Sequence, residues 1–304
     1  MLEIVFLGTV SGIPTRKRNH SSIWLQYSSE TEESLLWDCG EGTQRQMLKA
    51  GVNFMRIGGI FITHWHADHW AGIIGLLQTM NLEKRTEPLR IYGPEAERFV
   101  DDILDLGYWG PRFEVVPVEV PFEGSGITGL YKSKDFEILS TPVRHNIPAA
   151  AYCFKENDAW GVDIKKAEKL YGLKTGPLVG KLKEHGEIEF KGRKIRLEDV
   201  GIVKRGIKVV YSGDTKYSEN LVKLASGADM LIHEATFLET EAGDMHSSPK
   251  DAAMVANQAG VKKLVLTHFS RRYQDAKPLE DDARKAFPDT VAAEDLMRLT
   301  LKKQ

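Results

Sequence analysis

The sequence predicts an α/β fold. Short apolar runs rich in Val, Ile, Phe and Tyr recur along its 304 residues, and segments with helical periodicity lie between them. With 42% hydrophobic and 28% charged residues, the chain can bury a substantial core. These two observations indicate a soluble globular protein in which strands and helices alternate.

The apolar runs and the helical segments can be assigned in chain order. The runs that predict strands are 2–8, 22–27, 34–38, 58–63, 89–93, 113–120, 136–141, 206–212, 229–235 and 262–268. The segments that predict helices are 43–50, 69–80, 94–106, 216–226, 249–259 and 278–286. Ser248 before Pro249 and Asp251 is a typical helix start, and the alternating LMRLTL at 296–301 favours a final strand.

One segment, 155–196, departs from this alternation. It shows little strand signal, contains several glycines, and carries eleven Lys and Arg against seven Asp and Glu, a net charge of +4. A charged segment of this kind is typically exposed to solvent on the protein surface. The pattern predicts an inserted arm on the main domain.

Overall charge and termini restrict the classes of function. The net charge of only −2 excludes a basic global field, so a nucleic-acid surface would need local clusters of Lys and Arg. The start has no basic leader, and no run approaches the roughly 18 residues that cross a bilayer. Cys39 and Cys153 form no CxxC, which favours a reducing compartment and two small buried residues. We therefore expect a cytoplasmic protein with no membrane association.

The stretch FITHWHADHWAG at 61–72 places three histidines and one aspartate within six positions. Three more polar residues, His145, Asp214 and His268, also follow predicted strands. In an α/β fold, the crevice beyond the carboxyl ends of the strands is where ligands bind, so distant residues can converge there. A single histidine at a strand end is more often structural, but this clustering predicts a metal site.

The spacing in HWHADH is better matched to two metal ions than to one. His64 and His66 alternate and can face one point, while Asp68 and His69 begin the next helix and can reach a second. Two ions about 3.5–4 Å apart, bridged by a carboxylate and a water, activate that water for phosphodiester hydrolysis. Nucleophilic catalysis is less attractive because the sequence has no GxSxG and neither cysteine lies in a nucleophile motif.

The HxHxDH pattern at 64–69, with Gly72 after it, resembles the metallo-β-lactamase superfamily. This resemblance implies a four-layer αββα sandwich, with residues 1–304 as a single domain and 155–196 as an arm within it. Other stretches narrow the resemblance to the ribonuclease Z family, whose members trim precursor tRNA at its 3′ side. They are LGTVSGIPTRKRNHSS at 7–22, LWDCGEGTQRQ at 36–46, SGDT at 212–215, HEAT at 233–236 and HSS at 246–248.

The resemblance implies specific roles for individual residues. One zinc would be held by His64, His66 and His145, and the other by Asp68, His69 and His268, with Asp214 bridging; Mn²⁺ or another divalent ion could replace zinc. Asp68 would also handle the proton of the attacking water. Glu234 would orient His246, and that pair would protonate the leaving 3′ oxygen, since a carboxylate on one ring nitrogen holds the other as a donor.

The resemblance also implies how substrate is bound. The family's loop PxKxRN corresponds to Pro14–Asn19, so Arg16, Lys17, Arg18 and Asn19 would contact the substrate, with arginine in place of the motif lysine. The arm would grip the tRNA elbow through GLKTGPLVGKL at 172–182, which includes Gly176 and Pro177. Its excess of lysine suits phosphate contacts that position RNA without reading sequence. In the family this arm serves the partner subunit, which implies a homodimer.

The sequence thus predicts a zinc-dependent endoribonuclease acting on precursor tRNA by attack of a metal-bridged hydroxide. The products would be a tRNA with a 3′-hydroxyl and a trailer with a 5′-phosphate. One alternative is a hydrolase of the same superfamily acting on a small phosphodiester, sulfate ester or thioester, for which the arm would be dispensable. Another is an inactive RNA-binding or scaffolding subunit, although such a protein would normally have lost metal ligands.

Overall fold

Two mixed sheets of seven strands each organise most of the protein. The structure is a computed structural model and describes residues 1–29, 32–106, 110–238 and 245–303. The elements up to Glu156 are β1 (Leu2–Gly8), β2 (Val10–Ser11), β3 (Ser22–Ser28), β4 (Glu32–Trp37), α1 (Thr43–Ala50), a 3₁₀ turn (Phe54–Arg56), β5 (Ile57–Phe61), α2 (Ala67–Trp70), α3 (Ile73–Leu82), β6 (Leu89–Gly93), α4 (Ala96–Asp105), β7 (Val115–Glu119), β8 (Thr128–Lys132), β9 (Phe136–Pro142) and β10 (Ala150–Glu156).

The remaining elements begin with four short strands and three helices and then return to the second sheet. They are β11 (Ala159–Val162), α5 (Ile164–Tyr171), α6 (Pro177–His185), β12 (Glu187–Phe190), β13 (Arg193–Arg196), α7 (Leu197–Val200), β14 (Gly201–Lys204), β15 (Lys208–Tyr211), α8 (Glu219–Ala225), β16 (Met230–Glu234), α9 (Pro249–Ala259), β17 (Leu264–Thr267), β18 (Phe269–Ser270), α10 (Lys277–Arg284), β19 (Thr290–Ala292) and β20 (Arg298–Leu301).

The two sheets have parallel regions that end in site residues. The first sheet has the order β20-β1-β3-β4-β5-β6-β7, and β4 to β7 are parallel. The second has the order β19-β17-β16-β15-β10-β9-β8, and β15, β16, β17 and β19 are parallel. Because the carboxyl ends of parallel strands meet at one edge, the loops that follow them can share a site.

Aromatic pairs join the inner faces of the sheets, and helices cover their outer faces. Trp37 of β4 stacks on Tyr211 of β15, with ring centroids 5.8 Å apart. Phe61 of β5 meets Tyr152 of β10 edge to face at 5.5 Å. Apolar clusters outside the sheets include residues of α1, α3 and α4 on one side and of α8, α9 and α10 on the other. This is the predicted four-layer αββα sandwich.

Strand β10 shows how the period of two builds these layers. Tyr152 and Phe154 contact inner aromatic rings, while Ala151 and Cys153 belong to the outer cluster beside the helices. Cys39 and Cys153 are both buried and free, as predicted. Burial raises the pKa of the Cys153 thiol to about 12, so this side chain stays protonated and contributes to packing.

The predicted helix 69–80 is wrong in one respect, because two helices, α2 and α3, occupy this stretch. The helical run is interrupted at Gly72, where the backbone packs against the Cys39–Gly40 turn. A Cβ on Gly72 would lie 2.1 Å from the carbonyl oxygen of Gly40. The glycine therefore lets the histidine-bearing segment approach the turn after β4.

Residues Glu156–Ile207 form a second compact unit, separate from the unit made by Met1–Lys155 and Lys208–Lys302. Although the sequence of 155–196 gives little strand signal, this segment contains β11, β12 and β13, of which β11 pairs with β14 and β12 pairs with β13. These strands have only four residues each, which weakens their sequence signal. Their core is small and consists of Ala167, Leu173, Val179, Leu182, Ile195 and Val200.

In the part of the chain that the structure describes, every helix is too short or too polar to cross a bilayer.

Candidate metal centre

The predicted ligands lie in the loops that follow the strands of both sheets. His64 and His66 follow β5, and Asp68 and His69 lie on α2. The remaining ligands come from the second sheet and follow β9, β15 and β17; they are His145, Asp214 and His268. All seven converge, because their donor atoms fall into groups whose members lie within 4.8 Å of one another.

The first group consists of His64, His66 and His145. Nε2 of His64 lies 3.0 Å from Nδ1 of His66, and Nε2 of His145 lies 3.2 Å from that same nitrogen. Ligands 2.0–2.1 Å from a tetrahedral zinc ion are separated by about 3.3 Å, so this spacing is close to a coordination shell. The geometry also indicates that His66 would bind through Nδ1 and the other two through Nε2.

The second group consists of Asp68, His69 and His268, and Asp214 lies between the two groups. Nε2 of His69 is 3.2 Å from Nε2 of His268, which is 3.4 Å from Oδ2 of Asp68. Oδ1 of Asp214 lies 3.4 Å from Nε2 of His69, and its Oδ2 lies 3.7 Å from Nε2 of His64. Because Oδ2 also lies 3.3 Å from Nε2 of His268, Asp214 is close to histidines of both groups, which is compatible with a bridging position.

Oxygen atoms on the far side of the rings fix the ligand nitrogen of two histidines in the first group. The Thr63 hydroxyl donates to Asp38 and lies 3.0 Å from Nδ1 of His64, from which it can accept. Nδ1 of His145 lies 3.1 Å from the carbonyl oxygen of Met245. A ring that donates through Nδ1 presents Nε2 as the acceptor, so these partners select the tautomer for metal binding.

The second group is held in the same way. Nδ1 of His69 lies 2.7 Å from Oδ2 of Asp38, and Nδ1 of His268 lies 2.8 Å from the Thr236 hydroxyl. Thr236 in turn donates to Oε2 of Glu234 at 2.5 Å. Each group thus contains a histidine that reaches a buried carboxylate through a threonine.

Two of these residues occupy the left-handed backbone region, in which side chains other than glycine are uncommon. They are Asp38, with φ 55°, and His268, with φ 59°. Both are buried, and both are held by hydrogen bonds to their side chains. Such strain is typical of functional sites, where the surroundings impose a conformation that the residue alone would avoid.

The protonation states in the site suit a divalent cation. Burial lowers the pKa of His64, His66 and His145, which favours neutral rings with a free lone pair. Burial opposes ionisation of Asp68 and Asp214, but the neighbouring histidines outweigh it and hold both pKa values below the usual range. Burial also opposes protonation of His69, yet three carboxylates, led by Asp214, raise its pKa well above its ordinary value.

This donor set fits a divalent metal ion. Neutral imidazoles are good ligands for zinc and similar ions, and the ionised carboxylates supply the negative charge that a divalent cation favours. The negative field that holds a proton on His69 would favour a cation at the same place. Chemistry and spacing therefore agree for all seven predicted ligands.

His246 and Glu234 lie beside the ligands. Nδ1 of His246 is 3.2 Å from Oε1 of Glu234 and 3.7 Å from Oδ2 of Asp214. Burial opposes the charge on His246, but the hydrogen bond and charge of Glu234 outweigh it and raise its pKa to about 9. Its Nε2 is therefore a candidate proton donor at neutral pH.

Comparisons with known proteins agree with this architecture. Residues 193–269 match the family model described as a beta-lactamase superfamily domain, and residues 2–104 match the model described as anti-Pycsar protein Apyc1. The chain is 42% identical to the ribonuclease Z of Methanothermobacter thermautotrophicus, covering 99% of this chain and 97% of the relative. It is 47% identical to that of Thermococcus gammatolerans, covering 90% and 85%. The chain belongs to the ribonuclease Z family.

A solved structure supports the same assignment. The crystal structure of human tRNase Z, short form, matches with a TM-score of 0.71 and 28% sequence identity, covering 99% of each chain. The ribonuclease Z resemblance of the sequence motifs is therefore confirmed over the length of the chain. The metallo-β-lactamase fold is confirmed with it.

The structure separates the four residues predicted in the ribonuclease Z substrate loop into two kinds. Arg18 donates from Nη1 to the Thr9 hydroxyl at 2.6 Å and to the Ala293 carbonyl at 2.8 Å. The Asn19 side chain donates to the Glu41 carbonyl at 2.8 Å. Arg16 and Lys17 are exposed. Arg18 and Asn19 thus hold the loop, whereas contact of the exposed pair with substrate remains a prediction.

Gly176 and Pro177 lie in the second unit, at the start of α6. Both are exposed, and Pro177 is at the first helical turn, where its missing N–H costs no hydrogen bond. Their proposed contact with tRNA remains a prediction.

Sequence reasoning did not single out three residues that orient the ligands, namely Asp38, Thr63 and Thr236. Asp38 lies within the quoted stretch LWDCGEG, and Thr236 within HEAT, but neither was assigned a role. Asp38 follows a strand directly, and Thr236 lies two residues after the end of one. The ligands also follow strands, so this position is a signal that could have identified both residues. Their binding partners come from distant parts of the chain, so the fold alone shows what they contact.

Proposed function

We propose that this protein is a metal-dependent endoribonuclease that removes the 3′ trailer from precursor tRNA. Its products would be a tRNA with a 3′-hydroxyl and a trailer with a 5′-phosphate. Family membership supports the reaction class, and the pairing of His246 with Glu234 beside the ligand cluster is the observation that carries the proposal. That pair provides a proton donor where an oxyanion leaving group needs one.

The cofactor in this proposal would be a pair of zinc ions, held by the two ligand groups together with Asp214. The three-histidine group and the group with one carboxylate both suit zinc, and Mn²⁺ is the alternative. When bound, two such ions lower the pKa of a water and neutralise charge that develops on a phosphodiester.

The protein side chains would divide the proton transfers between them. Asp68 is partly exposed and ionised, so its carboxylate is placed to take the proton of the attacking water. His246 would deliver a proton to the leaving 3′ oxygen on the tRNA. Glu234 keeps His246 protonated and fixes which ring nitrogen faces the substrate, so it acts as a positioning residue.

Substrate recognition in this proposal uses two surfaces. The exposed Arg16 and Lys17 would bind RNA phosphates near the cleavage point. The Glu156–Ile207 unit, which includes most of the predicted arm 155–196, would bind the body of the tRNA through exposed lysines and the Gly176–Pro177 turn. The family resemblance further supports a cytoplasmic homodimer, which light scattering on the purified protein would test.

The competing function is hydrolysis of a small phosphodiester, sulfate ester or thioester by the same centre. Cleavage of a 3′-extended precursor tRNA, with both product ends mapped, distinguishes the two. We expect a single cut near the discriminator base that a chelator abolishes, together with the stated end groups. Failure to cut precursor tRNA in the presence of zinc or manganese would defeat the proposed function.

A further inference from the structure

We infer that a cavity between the substrate loop and the loop after His268 is a second RNA subsite, in which Arg271 binds a phosphate and Tyr273 contacts the attached nucleotide. This inference rests on the proposed function for the identity of the ligand. The cavity has a volume of about 330 Å³, which is the size range of a nucleotide, and lies between two turns.

The positive charge of the residues that line the cavity indicates an anionic ligand. Its lining includes Arg16, Lys17, Arg18 and Arg271, and none of the residues that line it is acidic. Arg18 is committed to contacts within the chain. Within the described ranges, the side chains of Arg16, Lys17 and Arg271 have no hydrogen bond or ion pair. Asp275, Glu294 and Asp295 act on Arg18 from a neighbouring cavity but do not line this one, so a bound anion would stabilise the cations that do.

Both walls are fixed by hydrogen bonds, so the cavity is built rather than accidental. On one side, the Thr15 hydroxyl accepts from the backbone N–H groups of Lys17 and Arg18 at 3.2 and 2.9 Å. On the other, the N–H of Tyr273 donates to the Ser270 carbonyl at 3.0 Å, and its hydroxyl accepts from the N–H of Leu238, also at 3.0 Å. The tyrosine ring is therefore held at a fixed position.

The cavity is connected to the metal centre by backbone structure. β18 begins directly after the ligand His268 and pairs in parallel with β2. The chain then continues into both cavity walls, and between β2 and the first wall the N–H of Gly12 donates to Oδ2 of Asp68 at 2.7 Å. A nucleotide in the cavity would thus belong to the same strand as the phosphate at the metal centre.

The ligand class follows from the combination of cations with an aromatic ring. A phosphate accepts strong hydrogen bonds from a guanidinium, and the face of a tyrosine can stack on any base. Together they bind a single-stranded nucleotide without reading its sequence. We therefore assign the subsite to an unpaired nucleotide next to the cleaved phosphodiester.

The test is binding and cleavage of precursor tRNA by Arg271→Gln, Arg271→Lys and a control, Arg98→Gln. Arg98 is an exposed arginine of α4 that pairs with Glu95, outside the cavity. We expect Arg271→Gln to raise KM for precursor tRNA about tenfold with little change in kcat, and to reduce the salt slope of binding by about 0.7, the value for one phosphate. Arg271→Lys should recover part of both effects, and Arg98→Gln should resemble the unaltered protein.

Two further measurements separate failure of the subsite from failure of the proposed function. Hydrolysis of bis(p-nitrophenyl) phosphate should be unchanged in Arg271→Gln, and an equal loss there would overturn the subsite by showing an effect on the metal centre. Binding of labelled precursor tRNA is measured in a His246→Ala background, where the RNA stays intact. If the unaltered protein fails to cut precursor tRNA while binding still depends on Arg271, the function is defeated and the subsite is supported. Normal cutting with Arg271-independent binding would overturn the subsite alone.

Discussion

The metal centre and the Glu156–Ile207 unit represent opposite ways of using polar residues. In the centre, His64, His69 and His268 are buried, and each has an oxygen partner that fixes its orientation. In the Glu156–Ile207 unit, lysines such as Lys181 and Lys183 are exposed over a core of six buried apolar residues. Chemistry requires a fixed geometry, whereas phosphate binding requires only charge at the right distance. Changes in the centre should therefore reduce turnover, and changes in the other unit should weaken binding.

The largest expected effect is that of metal removal. Incubation with a chelator should abolish cleavage of precursor tRNA, because seven candidate ligands converge on the site and the proposed reaction would require the ions that they hold. Added zinc or manganese should restore activity. Metal content and cleavage rate are measured on the same samples, and full activity without bound metal would contradict the proposal.

The next effect tests whether the centre contains a dedicated proton donor. His246→Ala should lower kcat by about 10²–10⁴ while leaving metal content unchanged, because the side chain acts on the leaving group. Gln258→Ala on the exposed side of α9 provides a control that should not alter kcat. Loss of metal in His246→Ala would assign this residue to the ligands instead.

A smaller effect is expected when one orienting oxygen is removed. Thr236→Val deletes the hydroxyl between His268 and Glu234, and such changes typically weaken metal binding 10–100-fold. Thr236→Ser keeps the hydroxyl and should retain the affinity. Competition with a chromogenic chelator measures both variants, and equal affinities would mean that the fold alone orients His268.

The smallest effect on chemistry is expected from removal of the Glu156–Ile207 unit. Lys155 and Lys208 are paired neighbours on β10 and β15, so an Asn-Gly turn can join them and close a hairpin. The shortened protein should hydrolyse bis(p-nitrophenyl) phosphate at the usual rate but show a KM for precursor tRNA raised by about tenfold or more. A parallel loss for both substrates would show that the unit supports the metal centre itself.

Patterns along the chain predicted most of the fold and the seven candidate ligands that the structure brings together. Helices α1 and α9 have the predicted bounds, because amphipathic periodicity and the Ser248 cap are local signals. The predictions missed β10, although it lies in the middle of the second sheet. Its inner side chains are large and its outer ones, such as Ala151 and Cys153, are small, so it lacks the β-branched residues that identify a strand.

Site residues could be predicted where the residue type itself indicates the role, and could not where tertiary contacts determine the role. Histidines and aspartates after strands could be recognised one by one. The roles of Arg18 and Asp295 could not be predicted in this way. Asp295 accepts hydrogen bonds from the Thr9 hydroxyl and the Asn19 N–H, which lie nearly the whole length of the chain away in sequence. One arginine of the basic loop therefore stabilises the loop through contacts within the chain.

Asp38 supports both groups of candidate ligands. Its carboxylate accepts from Thr63, which holds His64 of the first group, and it lies directly against Nδ1 of His69 in the second. Tyr211 also donates to it at 2.8 Å, so the side chain has no freedom to serve one group at the expense of the other. Loss of this one carboxylate would therefore disturb the histidines of both groups at once.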